Sequence, residues 1–490
     1  MAIDPFDDPF AEGDYRSNRS SRDSHTARLS AVVTAPKRLT YSIQLWLTRI
    51  IIAFGALSAL IWYAIPTPQA RQYPERKAVR IWHQWTGERQ LVVDGIVKLF
   101  NDSQSHYEAM ALAIPANVMD QKFMLSVAGK DPPDVVTQWG PTVSTWAADG
   151  LIQPLDALLS DNDWRILRED TYPIVLTAGS HQGKFYGLTI GLNTYGLYFQ
   201  TQRLREIGYT ASTLPNTLEE LMELSHKLDR VSANGDLERI GFLPSRLALF
   251  AALFGGGFRV TESGDITIVS EGNVRALEFI TESYRRYGFN RVVNFRSSLN
   301  HGGLASEWPF VSGQYPIALD GQWRVEQLAT YAPEIKYQTA MVPTPRGGVP
   351  GAGFATANLA FIPIGARETQ GAIAFMRFWS GLERPERAAS FLTKGGWLPM
   401  RRAITESPRY RDFIAANPQI KNFLHQLDNF NLIPIPAVPI QVFFNNKLIV
   451  CEDHAVRGTK TPRQALEDFD AEVRQERARR ERIEAMRGQP

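Results

Sequence analysis

Eleven residues have the types and settings to grip a polyhydroxylated ligand: Trp82, His83, Gln84 and Trp85; Gln138 and Trp139; Asn193 and Tyr195; Gln322 and Trp323; and Trp397. A sugar offers hydroxyls to polar side chains and apolar C–H faces to flat rings, so its site needs aromatics beside hydrogen-bonding groups. Covering one such face of about 50–80 Å² is worth about 1–2 kcal/mol per ring. Each candidate falls at a predicted strand end or in a glycine-flanked loop, where site residues concentrate. Alternation with Arg80 turns Trp82 toward a core as readily as toward a ligand. Gly395-Gly396 lets backbone approach Trp397 closely for either purpose, whereas Trp85 and Trp139 are read as site residues. His83 is read as a hydrogen-bonding neighbour, because no second His, Cys or carboxylate lies at metal-ligand spacing. No metal and no cofactor are expected.

Catalytic signatures are absent: there is no G-x-S-x-G, H-E-x-x-H, G-x-x-x-x-G-K, or G-x-G-x-x-G after a strand. The paired acids Glu219-Glu220 open a helix, where capping accounts for them. The enzymatic alternative is a membrane-anchored carbohydrate-active enzyme, whose two carboxylates would stand about 5–9.5 Å apart.

The elements that must position these residues follow from periodicity. Val79–Trp82 reads as a strand, and Val92, Val93, Ile96, Val97 and Phe100 recur at helical spacing. Tyr107–Ile114 is a second strand, Met119, Phe123 and Val127 mark a second helix, and Asp134–Thr137 is a third strand. This alternation predicts an α/β fold with a parallel sheet, in which ligands bind at the carboxyl ends of strands. The segments 82–85 and 138–139 would then face one crevice. Lys184–Gly187 after Gly183 predicts a hairpin, and Tyr195–Phe199 a strand. Thr217 and Glu220 form a capping box before Leu221, Leu224 and Leu228. Val274, Leu277, Thr281 and Tyr284 share one face of a later helix, so a second α/β unit is expected over roughly 195–310.

Ile43–Ile65 is the one stretch apolar and long enough for a bilayer. Its 23 residues make a helix of roughly 35 Å against a hydrocarbon core of about 30 Å. Arg49 lies near the start and can snorkel, while Trp46, Trp62 and Tyr63 sit near the ends. About 40 residues precede it and Trp62-Tyr63-Ala64 is bulky where a cleavage site would be small, so an uncleaved anchor is expected. Residues 1–40, polar and with Asp-Pro-Phe at 4–6 and 8–10, are expected to be disordered, and 66–77 to form a stalk. The remaining chain is ordinary globular material: of 490 residues 44% are hydrophobic and 21% charged, and the net charge of +2 gives no reason to expect nucleic acid. The sole cysteine, Cys451, excludes an internal disulfide and lies too far along to be a lipidated tether. In 460–490, Leu466, Phe469 and Val473 can dock, leaving 474–490 as a solvated charged helix.

The order of segments resembles the extracellular solute-binding proteins of ABC importers, in the branch that binds maltose and other sugars. The matching pieces are IWHQWTGE at 81–88, LFND at 99–102, DPPDVV at 131–136, ADGLIQPLDALL at 148–159, YGLYFQTQRLREIGY at 195–209 and LPNTLEELMELSHKL at 214–228, then GGGF at 255–258, FVSGQYPIALDGQW at 310–323 and GGWLPMR at 395–401. The resemblance covers 78–450 and implies the two-lobed type II periplasmic-binding-protein fold, with a small-molecule ligand held between lobes that close about a hinge. It implies lobe one at 78–190 plus 312–345 and lobe two at 195–310 plus 365–450, and it places Trp323 at a ligand-contact position. Thr189 and Gln200 depart from the family, which has Pro and Asn there. The resemblance further implies ABC permease subunits as partners, with the large domain periplasmic or extracellular and the N-terminus cytoplasmic. An anchored ligand sensor would use the same fold.

Overall fold

Apolar residues alternate with others along β1 (Lys77–His83), so that Val79, Ile81 and His83 point into the protein and Arg80 and Trp82 do not. The structure is a computed structural model that describes residues 71–209, 214–261, 264–299, 305–428, 431–432 and 436–487, together with Trp46, Arg49 and Gly55. The expected tail, anchor and residues 66–70 of the stalk lie outside the described residues apart from those three. Among the described residues no helix is long and apolar enough to cross a membrane. The compact unit described below begins at Pro74.

After β1 come α1 (Glu88–Ser103), β2 (Tyr107–Ala113), α2 (Ala116–Ala128), β3 (Val135–Trp139) and α3 (Thr142–Ala148). Then follow β4 (Gly187–Gln200), α4 (Leu218–Leu228), α5 (Leu247–Leu253), α6 (Glu271–Tyr287), β5 (Ile317–Gly321), α7 (Trp323–Tyr331), β6 (Tyr337–Ala340) and β7 (Ala355–Phe361). The chain ends in α8 (Thr369–Ser380), α9 (Pro385–Gly395), α10 (Gln441–Val456) and α11 (Pro462–Arg487). Seven strands form one sheet in the order β6-β4-β7-β3-β1-β2, with β5 also paired to β4. β1 runs parallel to β2 and β3, as predicted, with Ile81 opposite Val135 and His83 opposite Ala113. β7 and β4 join antiparallel, making the sheet mixed. The hairpin is Ser180–His181 against Lys184–Phe185. At the start of α4 the Thr217 hydroxyl accepts from the Glu220 amide, but the Glu220 carboxylate reaches Asn216 N (2.8 Å), one residue before the expected cap.

β4 is buried along all 14 residues; at roughly 3.3 Å per residue it runs about 46 Å. Its first half pairs with β7 and its second with β5 and β6. Alternation divides its side chains between two hydrophobic cores, Leu188, Ile190, Leu192 and Tyr198 in the first, Tyr195, Leu197 and Phe199 in the second. The later helices divide between the same two cores. Ala372, Phe375, Met376 and Trp379 of α8, and onward to Leu427, pack in the first core, and the second resumes only at Val438. The reason is contact with β1: a Cβ on Gly371 would lie 2.4 Å from Val79 Cγ2, so α8 is seated directly on the first sheet. Among the described residues of 201–299, helices α4, α5 and α6 supply much of the second core, beside a two-stranded ribbon, Arg230–Val231 against Leu237–Arg239.

Candidate ligand-binding site

Because β1 and β3 are parallel neighbours, the groups at their carboxyl ends emerge at one edge. There the Thr137 hydroxyl donates to Gln84 Oε1, which leaves the buried Gln84 Nε2 without a partner. Gln138 Nε2 donates to Asp120 Oδ1 at 3.1 Å, and Gln138 Oε1 accepts from the Trp139 amide. Burial raises the Asp120 carboxyl above the usual carboxylate range, opposed by the Gln138 hydrogen bond. Asp120 escaped the reading of the sequence, although a carboxylate five residues into the helix that follows β2 is a signal that could have found it. His83 is fully buried and neither ring nitrogen has a hydrogen-bond partner. Desolvation lowers its pKa to about 4, against a weaker pull upward from the Trp85 backbone, so the ring is neutral at ordinary pH.

Trp85 and Trp397 come together, but in the first core. Trp85 is only 7% exposed, and its ring centroid lies 4.9 Å from that of Trp397 and 5.5 Å from that of Trp379. Trp82, on the opposite face of β1, is half-buried against the same core. Gly191 makes room for Trp397: a Cβ there would stand 3.0 Å from Trp397 Cβ and 3.1 Å from Cγ. Gly191→Ala is therefore expected to lower stability by about 1–2 kcal/mol, measurable by urea denaturation.

Gln322 is a clasp. It is wholly buried, its Nε2 faces Asn193 Oδ1 (3.0 Å), Gly396 O (3.1 Å) and Leu192 O (3.3 Å), and its Oε1 accepts from Thr194 N. Asn193 spends its remaining donor on Thr356 Oγ1. The amides of Gln322 and Asn193 thus hold β4 to the start of α7 and to the Gly396 turn. Gln200, the family departure, similarly donates to Phe310 O at 3.0 Å and fixes the turn before β5.

The side chains of the two cores meet around Trp323. It is half-buried against the second core while Val325 and Leu328 of the same helix enter the first. Tyr195 meets Trp323 edge to face, with centroids 5.6 Å apart. The guanidinium of Arg89, on α1, lies 5.6 Å from the Trp323 centroid, and that of Arg246, at the head of α5, lies 5.0 Å from Tyr195. Arg246 holds a left-handed backbone, φ 72 and ψ 73, which costs an L-residue about 1–2 kcal/mol and concentrates at functional sites. Acids offset the two cations. The Glu326 carboxyl is raised by burial, with Thr330 and Arg89 opposing, and the buried Glu452 carboxyl is raised despite accepting from the Leu247 amide. The site therefore joins the half-buried ring of Trp323 with cations, and elsewhere the strand ends offer neutral donors and acceptors. Among the described residues no group of three His, Cys, Asp or Glu side chains is placed to hold a metal.

Residues 96–422 match the profile of the bacterial extracellular solute-binding proteins. The chain belongs to that family. Two solved structures share the mixed α/β fold of type II periplasmic sugar-binding proteins. CpMnBP1 with mannotriose bound has a TM-score of 0.73 and 23% identity, over 81% of this chain and 100% of that one. The sugar-binding protein MalE from Xanthomonas citri has a TM-score of 0.66 and 20% identity, over 84% of this chain and 100% of that one. Among curated relatives, the sn-glycerol-3-phosphate-binding periplasmic proteins UgpB of Shigella dysenteriae and Escherichia coli are each 22% identical over 418 residues, covering 79% of this chain and 90% of theirs. These relatives are solute-binding proteins and not enzymes.

Proposed function

We propose that this is a membrane-anchored extracytoplasmic receptor that captures a carbohydrate between its two cores and delivers it to an ABC importer. The observation that carries the reading is the Trp323–Tyr195 pair, a partly buried ring on one core approached by Arg89 from the other. At the strand ends, Gln84, Gln138 and Asp120 would take the hydroxyls, with Trp139 and Trp82 as further rings. The two cores act as lobes, and a ligand favours their closure only through contacts made with both. The apolar stretch 43–65 serves as the anchor, with the tail 1–40 cytoplasmic, 66–73 a stalk leading to the compact unit, and 460–490 a charged helix on the second lobe. Support comes from the family and from neighbours described with mannotriose and maltose bound.

A second reading takes its weight from Arg89 and Arg246, and from relatives named for sn-glycerol 3-phosphate: the ligand is an anionic polyol phosphate. One titration separates the two. Tryptophan fluorescence of the full-length chain is expected to change saturably with mannotriose or maltose. A saturable response to glycerol 3-phosphate alone, weakening with salt, would favour the anionic ligand. Silence across a broad panel of sugars, polyols and glycerol phosphates would remove the receptor reading.

A further inference from the structure

The C-terminal helix α11 has no apolar stripe beyond Val473, yet its course is fixed by arginines. Leu466, Phe469 and Val473 dock its first half in the second core. Arg477 then pairs with Asp265 at 2.6 Å, on the same core. One turn on, Arg480 leaves that core. Its Nη2 lies 2.5 Å from Asp149 Oδ1, at the end of α3, while its Nη1 donates to Pro439 O at 2.9 Å. α3 belongs to the first core through Val143 and Trp146. A second tie runs parallel: Gln441 N, at the head of α10, donates to Thr145 Oγ1 at 3.3 Å. The ion pair is largely withdrawn from water, the two side chains being 19% and 30% exposed, so it is screened less than a surface pair.

We propose that Arg480–Asp149, reinforced by Gln441–Thr145, is a latch that forms when the two cores close and breaks when they part. The inference rests on the receptor reading for the closure itself. α3 starts three residues after Trp139, so one short helix carries a site candidate before its N-terminus and the latch at its C-terminal end. A contact made only in the closed state shifts the open–closed balance whether or not ligand is present. The latch therefore tightens binding from a distance, and losing it weakens affinity about tenfold.

The test measures closure directly. Nitroxides at Leu125→Cys on α2 and Glu278→Cys on α6, both exposed positions on opposite cores, report the inter-core distance by electron–electron resonance in the full-length chain. Cys451 is buried and its thiol is pushed up to about 12, so it does not label. Without any sugar, Asp149→Asn and Arg480→Gln are expected to lengthen and broaden the distance distribution, and the exchanged pair Asp149→Arg with Arg480→Asp to restore it. With mannotriose the single variants bind about tenfold more weakly. Unchanged distances in the single variants, with only the melting temperature lowered, would show a permanent strut and overturn the latch. If the variants open but no sugar or glycerol 3-phosphate moves any distribution, the latch stands and the receptor reading fails.

Discussion

Trp85→Ala is expected to lower folding stability by about 4 kcal/mol, whereas Trp323→Ala weakens sugar affinity about thirtyfold with a much smaller loss of stability. The two rings were equal candidates in the sequence, and their surroundings separate them. Trp85 is packed against Trp397 and Trp379, so truncation leaves a cavity that those rings and His83 can fill only in part. Trp323 is only partly buried, against Tyr195 and Arg89. Its removal loses the apolar face, about 1–2 kcal/mol, and frees Arg89 from a cation–aromatic contact worth about 0.5–1 kcal/mol. Urea denaturation and fluorescence titration with mannotriose measure the two quantities on each variant, and Trp323→Phe should recover most of the affinity. Equal losses of affinity in Trp85→Ala and Trp323→Ala, at unchanged stability, would put Trp85 back in the site.

That contrast shows what a linear pattern carries. The period-2 alternation of β1 and the helical spacing through Phe100 gave the first parallel strands, because those patterns are local. The same local reading could not say that α8 sits on Val79, almost 300 residues earlier in the chain. Gln322 and Asn193 have the residue types of a sugar site, but each satisfies the other and the surrounding backbone, a fact of pairing across β4 and the Gly396 turn. Arg89 and Arg246 are unremarkable in sequence, and become site candidates only because the fold sets each over an aromatic ring from a different core. Where the strand ends that carry His83, Gln84 and Gln138 emerge was legible, because parallel-sheet topology fixes it.

The buried histidine at that edge weakens the fold in acid. In the unfolded chain His83 titrates near 6.5, and in the native protein burial holds it at about 4. Above pH 6.5 both states are neutral there and its full contribution is present. As pH falls from 6.5 to 4 the unfolded state binds a proton that the native state refuses, so stability drops by about 1.4 kcal/mol per pH unit, reaching about 3 kcal/mol. The carboxyls raised by burial, Asp120, Asp229, Glu326 and Glu452, act with the opposite sign, taking protons in the native state first. A difference experiment removes them. His83→Leu is expected to gain about 2 kcal/mol over the parent chain between pH 7.5 and pH 5.0, by urea denaturation at each pH. A constant difference would mean that His83 charges in the native state, and would contradict the neutral, unpartnered ring.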